Sequence, residues 1–173
     1  MPLCETLQKK HREICYLLHQ MESVAQREVG EPEGFEFLLS AFLSASFSIT
    51  DPLDNRKYRT WLDGWRQGRT ARERELLEFV RIQRIAEVHR MGAETELGVR
   101  YIPITELRTN RQGHPAYCFH WSGPPGTPPP SVGISVHEFE LGGTKVEAYN
   151  TCREVTGLLG ELLKAFETAN PNA

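Results

Sequence analysis

The sequence predicts a mainly α fold: a bundle of about five helices with a small antiparallel β insertion between the fourth and last helices. Three observations lead there. Four stretches before residue 92 place apolar residues at helical spacing. Residues 97–149 instead alternate or cluster as strands, broken by glycine and proline. From about residue 150 the helical spacing returns.

The first helix is expected over residues 3–28, where Leu3, Leu7, Ile14, Leu17, Leu18, Met21 and Val24 recur at helical spacing. Gly30, Pro32 and Gly34 end it. The second runs from Phe35 to Ile49. It is apolar nearly all round, with serines and alanines between the large residues and Glu36 as its single charge. Such a helix belongs at the centre, with neighbours packed close. Thr50-Asp51-Pro52 closes it. A third helix is expected over 56–68, with Tyr58, Trp61, Leu62 and Trp65 on one side. A fourth begins at Thr70 or Arg72 and ends near Met91-Gly92. Strands are expected at Leu97–Ile104, Ala116–Trp121, Val132–Leu141 and Lys145–Tyr149, and Gly142-Gly143 between the last two is a strong hairpin signal. The run GPPGTPPPS at 123–131 is a loop of polyproline character. Asn150 or Thr151 caps the last helix, which packs back on the first four through Val155, Leu158, Leu159, Leu162, Leu163 and Phe166. Residues 97–149 hold too little apolar content to fold alone. Residues 1–173 therefore read as one domain with the β segment inserted in it.

Composition narrows the class. At 173 residues the chain is long enough to bury a sizeable core, so neither disulfides nor a metal is needed to hold it. Hydrophobic residues make up 39% and charged residues 25%, which sets it apart from disordered chains. No apolar run reaches 18 residues, and the N-terminus has no basic stretch followed by an apolar one, so neither a membrane span nor a secretory leader is expected. Cys4, Cys15, Cys118 and Cys152 are scattered, as reduced thiols of a cytoplasmic protein would be.

Charge is uneven. The whole chain carries −3, but residues 56–90 hold ten Lys or Arg against five acids, a local +5. A positive stretch in an acidic protein can attract phosphates, and Arg81 and Arg90 are its candidate RNA contacts. A solvated helix face with intrahelical ion pairs would give the same pattern. Within this stretch Arg84 falls on an arc between Leu77 and Met91. An arginine among apolar neighbours must meet a carboxylate, a phosphate or water in a cleft. Glu36 and Asp51 are the carboxylates that would pair with it in a purely structural role.

The segments FLLSAFLSASFSITDPL, YRTWLDGW and LLEFVRIQRIAEVH, in that order over residues 37–89, together with an Arg and a His five positions apart at a helix end (Arg84 and His89), resemble HEPN-domain proteins. The likeness is to a bacterial group in which a β hairpin precedes the last helix. It implies an HEPN-like helical bundle, a homodimer in the cytoplasm, and metal-independent endoribonuclease activity without a cofactor. Such proteins serve as toxins, sometimes beside an antitoxin, or in defence. By that resemblance Arg84 would stabilise the charge on a scissile phosphate and His89 would move the proton of the ribose 2′-hydroxyl or of the leaving oxygen. The residue types suit those roles, since guanidinium matches phosphate bidentately and imidazole titrates near neutrality. The position after Arg84 is Ile85, where active members often carry a polar residue. That departure favours the alternative of a non-catalytic dimer that binds RNA, a nucleotide or a partner protein. The expected dimer face contains residues 80–91.

A second cluster has a bland reading. In a strand His114, Cys118 and His120 share one face, and His137 and Cys152 could join them, but the spacing fits no standard zinc pattern. No metal site is expected. No phosphate-binding glycine loop or nucleophile elbow is present.

Overall fold

A computed structural model of the chain describes residues 2–25, 32–90, 95–103, 131–141, 143–171 and 173, with the side chains of 25, 32–33, 83–90, 96–103 and 131–135 excepted. The elements are α1 (Leu3–Ala25), α2 (Pro32–Thr50), α3 (Arg59–Gln67), α4 (Ala71–Arg90), β1 (Glu96–Pro103), β2 (Ser131–Leu141), β3 (Thr144–Glu147) and α5 (Ala148–Ala169). The mainly helical class, and the small antiparallel pairing just before the last helix, are as the sequence predicts.

α2 packs on α1, α4 and α5, and α1 also packs on α5. The apolar, small-residue helix thus occupies the centre. α1 offers it Leu7, Ile14 and Met21, spaced by seven and fully buried, while Tyr16 stays outside. Phe35, Leu39, Phe42, Leu43 and Ile49 answer from α2. From α5 come Val155, Leu159, Leu162 and Phe166. The Phe166 ring meets the edges of Tyr58 and Trp61 at 5.0 and 5.2 Å between centroids, which fastens α3 to α5.

Boundaries differ from expectation in three places, each for a local reason. α2 starts at Pro32, because a proline in the first turn lacks only an N–H that would have no helical partner there. α3 starts at Arg59 and not at 56. A single 3-10 turn, Asp51–Leu53, follows α2, and the Asn55 side chain then accepts the Lys57 N–H at 2.9 Å, a turn that competes with helix. β3 ends at Glu147, and α5 begins at once, with Glu147 extended at its N-cap. The Thr151 hydroxyl donates to the Glu147 carbonyl at 2.9 Å from inside the first turn, so it is no cap.

Two compact units divide the chain, residues 1–96 with 137–173, and residues 97–136. In the first, the end of β2 pairs antiparallel with β3, setting Phe139 opposite Val146 and Leu141 opposite Thr144. Gly143 turns the corner at φ +77°, a conformation that other residues adopt at a cost. Phe139 stacks on Phe79 of α4, with centroids 4.5 Å apart. The second unit holds β1 and the start of β2, and β1 is the neighbour of β2 in the sheet order β1-β2-β3. The expected strand at 116–121 and loop at 123–130 lie outside the described residues.

Candidate functional site

α4 is the element that gathers the cations, and its start is well specified. The Thr70 N–H and hydroxyl both donate to the Glu73 carboxylate at 2.7 Å, and the Glu73 N–H donates to the Thr70 hydroxyl at 3.2 Å. This reciprocal box satisfies N–H groups that the first turn leaves open. The Thr70 bonds, with Arg69 nearby, hold the Glu73 carboxyl below the usual carboxylate range. Further along, Leu76, Leu77, Phe79 and Val80 are buried, while Arg81 and Ile82 face out.

Five of the eight described cations of the basic stretch have a carboxylate beside them. Arg81 grips Glu78 with two bonds, 2.5 and 3.0 Å, which raises the guanidinium's pKa further. Arg72 contacts Glu75 at 3.1 Å and Glu154 of α5 at 3.2 Å. Arg69 stacks on Trp65 and reaches Glu161 at 2.9 Å. Arg66 lies 3.8 Å from Asp63, and Arg59 lies 3.7 Å from Asp54. Lys57 sits over the Tyr58 ring. These are the intrahelical and interhelical pairs of a solvated face. The exposed ones, such as Arg81–Glu78 and Arg72–Glu154, are weak, about 0–1 kcal/mol each, and can open for a stronger anion. A groove of about 20 Å³, room for one water, lies among Asp51, Asp54, Arg66 and Arg81.

Of the residues singled out in the sequence, Arg81 is described: it is half exposed at the end of its Glu78 pair. Arg84, His89 and Arg90 belong to the α4 backbone, and their side chains lie outside the described residues. α4 runs unbroken to Arg90. Glu36, offered as a structural partner for Arg84, meets Thr95, while the Arg84 side chain lies outside the described residues. Its carboxylate accepts the Thr95 N–H and hydroxyl, both at 3.2 Å. The Thr95 oxygen lies 2.9 Å from Nδ1 of His137, whose ring stacks on Phe35 at 4.0 Å with the planes 8° apart. His137 is 7% exposed, and its burial pushes its pKa down against the opposing pull of Glu36.

The motif reading missed this cluster. Its signal was Glu36, the one charge between residues 35 and 49 of the apolar α2, since a carboxylate on a central helix needs donors. Cys152, the other residue that could have joined a metal cluster, lies in the core. It is fully buried, and burial drives its thiol pKa upward. Among the described residues no group of His, Cys, Asp and Glu is arranged to hold a metal, and no helix is long and apolar enough to cross a membrane. His114, Cys118 and His120 lie outside the described residues. No protein-family model matches the chain, and neither the curated proteins nor the solved structures provide a match.

Proposed function

We propose that the protein is an HEPN-type endoribonuclease that cleaves single-stranded RNA without a metal, as a homodimer, using Arg84 and His89. The observation that carries this reading is the course of α4, which brings Arg81, Arg84, His89 and Arg90 onto one helix in a bundle whose hairpin precedes the last helix. Positions five apart on a continuous helix stand about 140° apart around its axis. One copy of α4 therefore does not present both groups to one phosphate, and a second copy has to complete the site. Arg81 supplies the first electrostatic contact, since its exposed pair with Glu78 exchanges readily for a phosphate.

The second reading, a dimer that binds RNA without cutting it, is favoured by the same 140° divergence and by Ile85 in the position after Arg84. One experiment separates them. Purified protein is incubated with single-stranded RNA in chelator, beside His89→Ala and an RNA carrying a 2′-deoxy at the cleavage position. Under the first reading the wild type cleaves, the deoxy substrate is inert, and His89→Ala is slower by roughly two to four orders of magnitude. Equal cleavage by wild type and variant overturns the catalytic assignment. Binding without cleavage by either selects the second reading. Absence of binding by the wild type at low salt removes both.

A further inference from the structure

We propose that Glu36, Thr95 and His137 form a pH-sensitive clasp that holds Thr95 and His137 onto α2 at neutral pH and lets them go on acidification. The placement suggests a clasp because Thr95 lies two residues before the unit of residues 97–136, and His137 is the first residue after it. Both are tied to adjacent residues of one helix: Thr95 to Glu36 by two bonds, and His137 to Phe35 by ring stacking. The two chain ends are joined to each other through the Thr95 hydroxyl.

The protons can be assigned from the acceptors. A carboxylate only accepts, so the Thr95 hydroxyl gives its single proton to Glu36. The hydroxyl oxygen must then accept from His137, which makes Nδ1 the protonated nitrogen and leaves the lone pair on Nε2. An added proton can go only to Nε2. The ring there is buried, with Phe35 against its face. Its strand neighbours Val136 and Glu138 belong to the opposite side of the pleat. Thr95 carries no charge, and Glu36 of α2 is the anion that acts on the ring among the described residues. The desolvation cost outweighs that attraction, so the folded clasp favours neutral imidazole.

The sign follows. A histidine whose folded pKa is depressed adds its stability above the unfolded value near 6.5 and loses it as pH falls from there toward the folded value. Opening of the clasp then gains one proton, so the open fraction rises by up to about tenfold per pH unit in that interval.

Hydrogen exchange read by mass spectrometry from pH 7.5 to 5, corrected for intrinsic rates, tests this on the intact chain. Protection at residues 95 and 136–138, relative to α1 and α5, should fall up to about tenfold per pH unit below 6.5. His137→Phe keeps a ring against Phe35 and removes the titration, so its exchange should be flat over the same range. If it does not fold, the NMR titration of His137 in the wild type carries the test, and should show a pKa below 6.5 with the Thr95 amide shifting in step. The clasp is overturned if wild type and His137→Phe share one pH profile, if α1 and α5 lose protection together with residues 95 and 136–138, or if His137 titrates at or above 6.5.

Discussion

Gly157 and Gly160 are one turn apart on α5, yet they respond to different surroundings. A methyl group at 157 would meet nothing within 4 Å, whereas one at 160 would stand 3.1 Å from Nε2 and 3.4 Å from Cε1 of His11. That ring lies 3.1 Å from the Thr156 carbonyl and helps hold α1 against α5. Gly157→Ala should therefore stabilise the protein by about 1 kcal/mol, the helix preference of alanine, or about 2–4 °C in Tm for a chain of this size. Gly160→Ala should show no such gain, because the ring has to move away from its carbonyl. In a His11→Ala background the gain at 160 should return. Thermal melts of the four variants decide this, and equal gains at 157 and 160 would mean that His11 yields freely. The cysteines offer a second check at this scale. Cys152 is sealed in the core, whereas Cys15 is exposed. A thiol reagent should label Cys15 in the native protein and Cys152 only after denaturant. Residue-level features were partly legible in the sequence. Glu36 stood out as a charge in an apolar helix, but its partners Thr95 and His137 are 59 and 101 positions along the chain, a separation that no local pattern bridges.

The elements were legible wherever burial imposes a period. α1, α2, α4 and α5 follow the apolar spacing, and the diglycine marks the β2–β3 turn. What the period does not encode is the first turn of each helix, which is set by individual hydrogen bonds. The asparagine turn at 55 and the direct passage from Glu147 into α5 are of that kind. The Thr70–Glu73 box at the start of α4 is the case with a pH signature. Because the Glu73 carboxyl is held below its ordinary value, its contribution is present above about pH 4.5 and fades as pH falls below that. Thr70→Ala should lower Tm by about 2–4 °C at pH 7, the usual worth of a lost cap. The gap between variant and wild type should narrow as pH falls below about 4.5. A gap constant with pH would mean that the carboxylate plays no part in the cap.

For the whole molecule, the expected dimer face turns on residues 80–91. Ile82, half exposed beside the Arg81–Glu78 pair, is the described apolar side chain there that a two-fold contact would cover. Light scattering should give twice 19.7 kDa at micromolar concentration. Ile82→Asp should return the chain to monomer with its helical content unchanged. A wild type that runs as a monomer would remove the composite site with it. The basic stretch shows why the site was harder to read than the fold. Its excess of arginines was plain in the sequence, but their pairing with Glu154 and Glu161 comes from α5, some eighty to ninety positions away.

The junction between β3 and α5 contains no connecting residue: Glu147 ends the strand and Ala148 is already helical. The hairpin and the last helix are therefore phased to each other like two gears on one shaft. Adding one amino acid there would turn every later side chain of α5 by about 100° and carry the row formed by Cys152, Val155, Leu159 and Phe166 out of the interior. Substitutions at this seam can be absorbed one by one, but a change of length cannot. Among descendants of this chain, insertions and deletions should be purged at 147–148 even where the identities of both residues drift.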